Sequence, residues 1–160
     1  MKNTYIALII LFALLTSSQS LYAAAGSDFS LKTTSGKTVK LSKLKGKVVY
    51  VDFWASWCAP CRKSFPWMNN MHARYKAKGL KIIAISLDSD RKVTKKFLRD
   101  NPALFTVAYD SDGKVADKYG VQVMPTSYLI GRNGELLATH KGFRKKHADA
   151  IEAEIKKALK

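Results

Sequence analysis

Two cysteines, Cys58 and Cys61, are the residues whose spacing points most directly to chemistry, and the chain has no others. They flank Ala59 and Pro60 and follow the apolar run at residues 48–54. A C-x-x-C pair at the start of a helix that follows a buried strand is typical of a thiol redox centre. Cys58, first in the helix, is predicted to be the attacking thiolate, and Cys61, one turn further in, the resolving thiol.

The start of a helix suits this chemistry because its free N–H groups and its dipole favour an anion. The effect contributes roughly 0.3–1 kcal/mol and up to ~2 kcal/mol in a partly buried site, which is enough to lower the pKa of a thiol. Pro60 falls in the first turn, where its missing N–H group costs little and its ring stiffens the loop. The sequence therefore favours a reactive sulfur at Cys58.

Other uses of a cysteine pair fit less well. A structural zinc site needs four ligands, and His72, His140 and His147 do not have the required spacing from the pair. Covalent haem attachment needs a histidine directly after the second cysteine, where this chain has Arg62. A static disulfide between residues three apart would remove little entropy from the unfolded chain. A redox pair is favoured, and we expect neither a metal nor a cofactor.

Residues 1–25 have the organisation of a secretory signal peptide. Lys2 precedes an uninterrupted apolar run at residues 6–15, and Ala23-Ala24-Ala25 offers a cleavage site of small residues. Ten apolar residues in a helix span about 15 Å, half of a hydrocarbon core of roughly 30 Å. We therefore expect cleavage, with the mature chain beginning near Gly26, and an uncleaved membrane anchor is the weaker alternative.

The chain carries a formal net charge of +16. A basic protein can attract acidic proteins, anionic lipid or nucleic acid. Its lysines are scattered among acidic and apolar residues rather than gathered in one block, and export argues against a nucleic-acid partner. With 47% hydrophobic and 25% charged residues, the composition is that of a globular domain with a solvated basic surface, and we expect no nucleic-acid binding.

The rest of the chain alternates between strand and helix patterns, which indicates an α/β domain. Residues 48–54 are β-branched and aromatic without a breaker, as a strand buried on both faces requires. Alternating apolar residues around Ser35-Gly36 predict a β-hairpin at residues 28–47, before this core. Further strands are predicted at residues 81–87, 105–109, 126–130 and 135–140, the last two joined by a turn at Asn133-Gly134.

Four helices are predicted among and after these strands. They fall between Cys58 and Gly79 and at residues 91–100, 114–119 and 145–160. The first presents an apolar face at helical spacing, formed by Phe65, Met68, His72 and Tyr75. The last presents a stripe that should pack on the sheet, formed by Ala148, Ile151, Ile155 and Leu159.

The run at residues 51–61, VDFWASWCAPC, closely resembles the active-site strand and loop of thioredoxins. The export signal, the DFSL opening at residues 28–31, Gly46-Lys47 before the strand and a helical segment after Leu87 resemble the TlpA/ResA branch of extracytoplasmic thioredoxin-like reductases. The resemblance covers the chain from about residue 28 onward. It implies one thioredoxin-like domain at residues 26–160, with a central mixed sheet flanked by helices, an N-terminal hairpin extension and a helical insertion.

The resemblance also implies a substrate-binding surface beside the cysteines. Met124-Pro125-Thr126 matches the loop that in this superfamily holds a cis-proline against the cysteines and leaves backbone groups free to pair with substrate. Gly142 resembles the glycine of the family's substrate groove, with a simple strand end as the alternative. Trp57 and Pro60 complete the expected docking surface.

Asp52 lies inside the predicted buried strand, where a carboxylate is costly unless it has a partner or stays protonated. In the family pattern such an acid can move a proton to and from Cys61, so Asp52 joins Cys58 and Cys61 as an expected catalytic residue. The lysine that partners this acid in many thioredoxins has no counterpart in the IIAIS run at residues 82–86. The alternative is an aspartate that reaches solvent at the strand end or caps a turn.

The function implied is a monomeric dithiol reductase of the periplasm, or of another extracytoplasmic space, that reduces disulfides in exported proteins. The resemblance implies a membrane-embedded thiol donor of the DsbD or CcdA kind, and cytochrome c maturation is a frequent role of the family. A thiol oxidase and a non-catalytic module that binds copper or a partner through the cysteines remain alternatives. The intervening Ala-Pro resembles reducing members more than the Pro-His of strong oxidants.

We predict that export removes the first segment near Ala25, because an apolar run of this length is followed at once by an A-x-A site. Mass spectrometry of the protein from its native host should find an N-terminus near Gly26. An intact Met1 on membrane-bound protein would instead identify the segment as an anchor.

Overall fold

The structure of the protein is a computed structural model that describes residues 26–160. The signal peptide predicted at residues 1–25 lies outside the described residues. Within residues 26–160, no helix combines the length and the apolar character that crossing a membrane would require.

A five-stranded mixed sheet forms the centre of the fold, preceded by a two-stranded hairpin. In chain order the strands are β1 (Ser30–Lys32), β2 (Thr38–Lys40), β3 (Val48–Trp54), β4 (Leu80–Ser86), β5 (Thr106–Tyr109), β6 (Thr126–Ile130) and β7 (Leu136–Lys141). The order across the large sheet is β5-β4-β3-β6-β7. β3 pairs parallel with β4 and antiparallel with β6, and all its residues are buried, which confirms the central strand predicted from its apolar run.

Within residues 26–160, four α-helices flank this sheet. They are α1 (Ala59–Tyr75), α2 (Arg91–Asp100), α3 (Lys114–Lys118) and α4 (Ala148–Ala158). One face of the sheet packs in a buried cluster with Phe65 of α1, Phe97 of α2 and Ile155 of α4. The other face packs with Ala116 of α3 and with Phe29 near the hairpin. The mixed sheet flanked by helices, with a helix inserted between β4 and β5, confirms the predicted fold.

The N-terminal hairpin confirms the prediction around Ser35-Gly36. Its two strands pair antiparallel, with Leu31 opposite Val39. The turn region then joins the large sheet, because the Thr34 amide donates to the Val107 carbonyl at 2.9 Å. The hairpin thereby covers part of the β5 edge, where unpaired backbone groups would otherwise invite another chain to pair.

Three strands differ by one residue from their predicted bounds, namely β4, β7 and β5, which begins at Thr106 rather than at Phe105. β4 begins at Leu80 because Gly79 has φ 101°, a left-handed conformation that turns the chain directly into the strand. β7 begins at Leu136 rather than at Glu135, whose carboxylate instead accepts a hydrogen bond from the Asn133 amide in the turn. Local turn geometry therefore decides these ends.

The prediction of the apolar face of α1 is wrong at one position. Phe65, Met68 and Tyr75 are buried as expected, but His72 is only half-buried. Met71, its neighbour, is 1% exposed and fills that place in the core. A helix of 3.6 residues per turn brings positions three and four apart onto nearly the same face, and the apolar thioether is the one that packs inward.

We predict that truncating the α4 stripe at Ile155 lowers stability sharply, because this side chain is 0% exposed beneath the sheet. Ile155→Ala should lower the free energy of unfolding by about 2–5 kcal/mol. Leu137→Ala, at a position that is 46% exposed, is the control and should change it by less than about 0.5 kcal/mol. Urea unfolding measures both, and equal losses would contradict the packing described for α4.

Candidate active site

Cys58 and Cys61 form a disulfide where the loop after β3 enters α1. Cys58 is the N-cap residue of this helix, and its sulfur accepts a hydrogen bond from the Cys61 amide at 3.4 Å. The exposed fraction is 5% for Cys58 and 0% for Cys61. Cys58 therefore borders solvent, and Cys61 lies behind it in the buried cluster on the α1 face of the sheet.

The charges around this helix start favour an anion at Cys58. The first turn of α1 contains no acidic residue, and Arg62 and Lys63 follow Cys61 directly. The unpaired amides of the first turn and the helix dipole add roughly 0.3–1 kcal/mol in favour of a negative charge. The Cys61 amide already donates to the Cys58 sulfur, so the start of the helix offers Cys58 the position in which an anion is favoured.

A buried carboxylate that sequence reasoning missed holds the loop in front of Cys58. Asp88 is 2% exposed. It accepts hydrogen bonds from the Ser56 amide at 3.1 Å and from the hydroxyls of Ser56 at 3.0 Å, Thr94 at 2.8 Å and Ser86 at 3.2 Å. These bonds tie the loop to the end of β4 and to α2. The signal in the sequence was an aspartate two residues after a buried strand.

Asp52 occupies a different environment in the middle of the sheet. It is 2% exposed, so it does not reach solvent, and its Oδ2 atom has no hydrogen-bond partner within residues 26–160. Burial raises the pKa of this carboxyl group well above its usual range. Side chains alternate along a strand, and Tyr50 and Trp54 lie in the same buried cluster as both cysteines, so Asp52 faces the underside of the redox pair.

The Met124–Pro125 peptide bond is cis, as the resemblance implied. Thr126 pairs with Phe53, so Pro125 lies beside the end of β3 from which the cysteine loop departs. Met124 packs against the cluster that contains both cysteines. Thr126 itself is 1% exposed, and its hydroxyl donates to the Val123 carbonyl at 2.7 Å, so it supports the loop from within.

Gly142 joins the same surface through a direct contact. It follows β7 with φ 77°, and its amide donates to the Pro125 carbonyl at 2.7 Å. The Pro125 carbonyl therefore already accepts a hydrogen bond within the chain. Within the described part of the chain, the amide and the carbonyl of Met124 have no hydrogen-bond partner.

Exposed apolar side chains border the redox pair. Trp57 is 69% exposed directly before Cys58, and Val123, which precedes Met124, is 50% exposed. Pro60 is exposed in the first turn of α1. An aromatic side chain in this position offers contact area to a docking protein at low entropic cost. The predicted docking residues thus lie on the elements that surround Cys58.

The arrangement combines an anion-stabilised outer sulfur, a buried inner sulfur, a buried acid beneath them and free backbone groups beside them. This set can attack a disulfide, hold a mixed disulfide and resolve it. No group of three or more His, Cys, Asp or Glu side chains in residues 26–160 is placed to hold a metal ion.

Comparison with known proteins assigns the chain to a family. The AhpC/TSA family matches residues 23–139. The thiol-disulfide oxidoreductase ResA of Oceanobacillus iheyensis is 43% identical over 116 residues, which cover 70% of this chain and 60% of that protein. The ResA protein of Bacillus thuringiensis subsp. konkukian is 37% identical over 130 residues, which cover 81% of this chain and 74% of the relative. The chain thus spans less than two thirds of the Oceanobacillus protein.

Solved structures of related proteins have the same fold as this chain. A Chlorobium tepidum protein described as a thiol:disulfide interchange protein DsbE superposes with a TM-score of 0.83 at 52% identity, over 85% of this chain and 96% of that one. StoA from Bacillus subtilis superposes with a TM-score of 0.69 at 26% identity, over 82% of this chain and 98% of that one.

We predict that Asp52→Asn stabilises the oxidised protein at alkaline pH. Because burial raises the pKa of Asp52, the stability that its neutral form contributes is complete below the pKa of the unfolded chain, about 3.9. It is lost as the pH rises through the folded value. The melting temperature of the variant should therefore match that of the unmodified protein at acidic pH and exceed it by a few degrees at pH about 9.

The exposed Asp100 provides the control for this experiment. Asp100→Asn should show no gain that grows with pH. A constant difference between Asp52→Asn and the unmodified protein at every pH would mean that the Asp52 carboxyl group does not titrate with a raised pKa.

Proposed function

The chain belongs to the AhpC/TSA family within the thioredoxin superfamily, with ResA thiol-disulfide oxidoreductases among its relatives, and from this membership we propose that it reduces disulfide bonds in exported proteins. The observation that carries the proposal is the position of the Cys58–Cys61 disulfide at the N-terminus of α1, with the Cys58 sulfur as the cap. A structural disulfide needs no such position, whereas a redox pair depends on it.

The first step is attack by the Cys58 thiolate on one sulfur of the substrate disulfide. A bond forms between Cys58 and that sulfur, the substrate S–S bond breaks, and its electron pair leaves on the second substrate sulfur as a thiolate. The amides of the first turn and the helix dipole support this step, because they favour the anionic form of the attacking sulfur.

The second step resolves the mixed disulfide. The Cys61 thiol loses its proton and attacks the Cys58 sulfur, the Cys58–Cys61 bond forms, and the substrate leaves as a thiolate. Asp52 is proposed to take the Cys61 proton, since it faces the redox pair and burial brings the pKa of its carboxyl group upward, toward the range in which a thiol exchanges protons.

The substrate is proposed to lie across the loop surface beside Cys58. The unpaired amide and carbonyl of Met124 can pair with an extended segment in the manner of an added strand. Trp57 and Pro60 contact its side chains from the cysteine loop. Pro125, Thr126 and Gly142 shape the floor, with the Gly142 amide holding the Pro125 carbonyl away from the substrate.

The cycle leaves the protein oxidised, so a thiol donor must reduce it again. In line with the resemblance, we propose a membrane-embedded donor of the DsbD or CcdA kind, an extracytoplasmic location such as the periplasm, and a monomer formed by one domain at residues 26–160. Cytochrome c maturation is a pathway that this activity would serve.

We predict that the reduced protein accelerates the reduction of an exposed disulfide in a test protein such as insulin. Cys58→Ser should lower the rate to that of the uncatalysed reaction. Cys61→Ser should still attack but accumulate a mixed disulfide through Cys58 that dithiothreitol releases, because no second thiol is available.

Three outcomes would count against this assignment. A mixed disulfide that forms through Cys61 in the Cys58→Ser variant would mean that Cys61 is the attacking residue and Cys58 the resolving one. If the unmodified protein reduces the test disulfide no faster than Cys58→Ser, it is not a catalyst, and a binding module is favoured instead. A reduction potential near the roughly −120 mV of a strong oxidant would make the protein an oxidase.

A further inference from the structure

A row of polar side chains crosses the sheet directly from Asp52. In the strand register, Asp52 of β3 lies opposite Ser127 of β6, and Ser127 lies opposite His140 of β7. Side chains at directly opposed positions lie on the same face of a sheet, about 4.5–5.5 Å apart at Cβ. The three residues therefore form a line perpendicular to the strands.

Two further residues extend this line. The Tyr50 hydroxyl, buried two positions before Asp52, donates a hydrogen bond to the Ser127 hydroxyl at 2.7 Å. On the outer side, Nε2 of His140 lies 2.8 Å from a carboxylate oxygen of Glu154 on α4. We call Asp52, Tyr50, Ser127, His140 and Glu154 together the polar row.

Exposure increases steadily along the polar row. Asp52 is 2% exposed and Ser127 is 4% exposed. The side chain of His140 is 18% exposed, and that of Glu154 is 46% exposed. The row thus begins in the core beneath the redox pair and ends in solvent on the outer side of α4. On β4, the position opposite Asp52 is Ala84, which offers no polar group in the other direction.

Unpartnered atoms lie at both ends of the buried part of the row. Oδ2 of Asp52 and Nδ1 of His140 are buried and have no hydrogen-bond partner within residues 26–160. Buried polar atoms without a partner are costly, and such sites commonly bind ordered water. With Nε2–H of His140 donating to Glu154, Nδ1 carries a lone pair that accepts a proton.

We propose that the polar row is a proton path that connects the carboxyl group of Asp52 to solvent at Glu154. The inference rests on the proposed function, in which Asp52 takes the proton of Cys61. No direct hydrogen bond joins Asp52 to Ser127 or Ser127 to His140 in the described residues, so the proposed path requires water to bridge these intervals.

The path returns Asp52 to its charged form after each resolution step. The proton that Cys61 loses moves to Asp52, then through water and the Ser127 hydroxyl to Nδ1 of His140. His140 releases the proton on Nε2 to Glu154 or to solvent, so the ring ends neutral. The titratable groups that face the path are Tyr50 from β3, Cys61 from α1, Cys58 from the N-cap of α1, and Glu154 from α4. No atom of the path changes oxidation state.

The test uses dithiobis-nitrobenzoate, a disulfide that releases one coloured thiolate on attack by Cys58 and a second on resolution by Cys61. Stopped-flow absorbance with the reduced protein separates the two phases. Tyr50→Phe, Ser127→Ala and His140→Gln should each slow the second phase, by up to about 100-fold. The first phase should keep its rate in all three, because the Cys58 thiolate needs no proton path.

Two further variants separate a proton path from a structural effect. Ser127→Thr keeps the hydroxyl and should keep a fast second phase. His72→Gln is the matched control, since His72 is also a partly buried histidine with an unpartnered Nδ1 atom, but it lies on α1 away from the row. It should leave both phases unchanged. Circular dichroism and melting temperature verify that each variant is folded.

A double-variant cycle with Asp52→Asn decides the assignment. If the path acts through Asp52, adding His140→Gln to Asp52→Asn should slow the second phase no further. Equal slowing in both backgrounds would overturn the path and leave His140 a structural residue. A slow second phase in Asp52→Asn, with unmodified rates in all row variants, would also overturn the path while the role of Asp52 stands.

The failure of the proposed function has a different signature. An Asp52→Asn variant with a normal second phase would remove Asp52 as the proton acceptor, and the path with it. The absence of any first phase in the unmodified protein would instead contradict the thiol exchange at Cys58.

Discussion

The sulfur of Cys58 caps α1, and its hydrogen bond with the Cys61 amide joins the chemistry of the site to the geometry of the helix. A sulfur in this position gains from the helix dipole only while the loop before it keeps its conformation. The buried strand β3 delivers the chain to that loop, and the Asp88 carboxylate binds the loop at Ser56. The rest of the fold can be understood as what keeps this cap in place.

Two buried aspartates show how differently the same side chain can be used. Asp88 is surrounded by donors from three parts of the chain, so its charge is satisfied and it fixes the loop. Asp52 is equally buried but has an unpartnered oxygen, and burial raises the pKa of its carboxyl group. The hydrogen bonds of Asp88 compensate for its burial, whereas Asp52 has no such compensation at Oδ2. Asp88 therefore has a structural role in the loop, and Asp52 is the one for which we propose a chemical role.

Much of this fold could be predicted from local pattern. The continuous apolar run of β3, the helix after the cysteines and the hairpin around Ser35-Gly36 depend on residues close together in the chain. The Asp88 network and the polar row depend instead on contacts between distant segments, such as Tyr50 with Ser127, 77 positions apart. Hydrophobic pattern indicates which face of a strand is buried, but it does not say which residue of another strand lies opposite.

The residues opposite Asp52 on the neighbouring strands show why the polar row extends toward β7 and not toward β4. In many thioredoxins a lysine on the neighbouring strand partners this acid, but here the opposed position on β4 is Ala84, which has no polar atom. The other neighbour, on β6, is Ser127, and its hydroxyl is already held by Tyr50. Under the proposed role, Asp52 exchanges protons from inside the sheet and needs polar groups on at least one side. Since β4 offers none at this level, the proposed path crosses β6 and β7 toward His140 and Glu154.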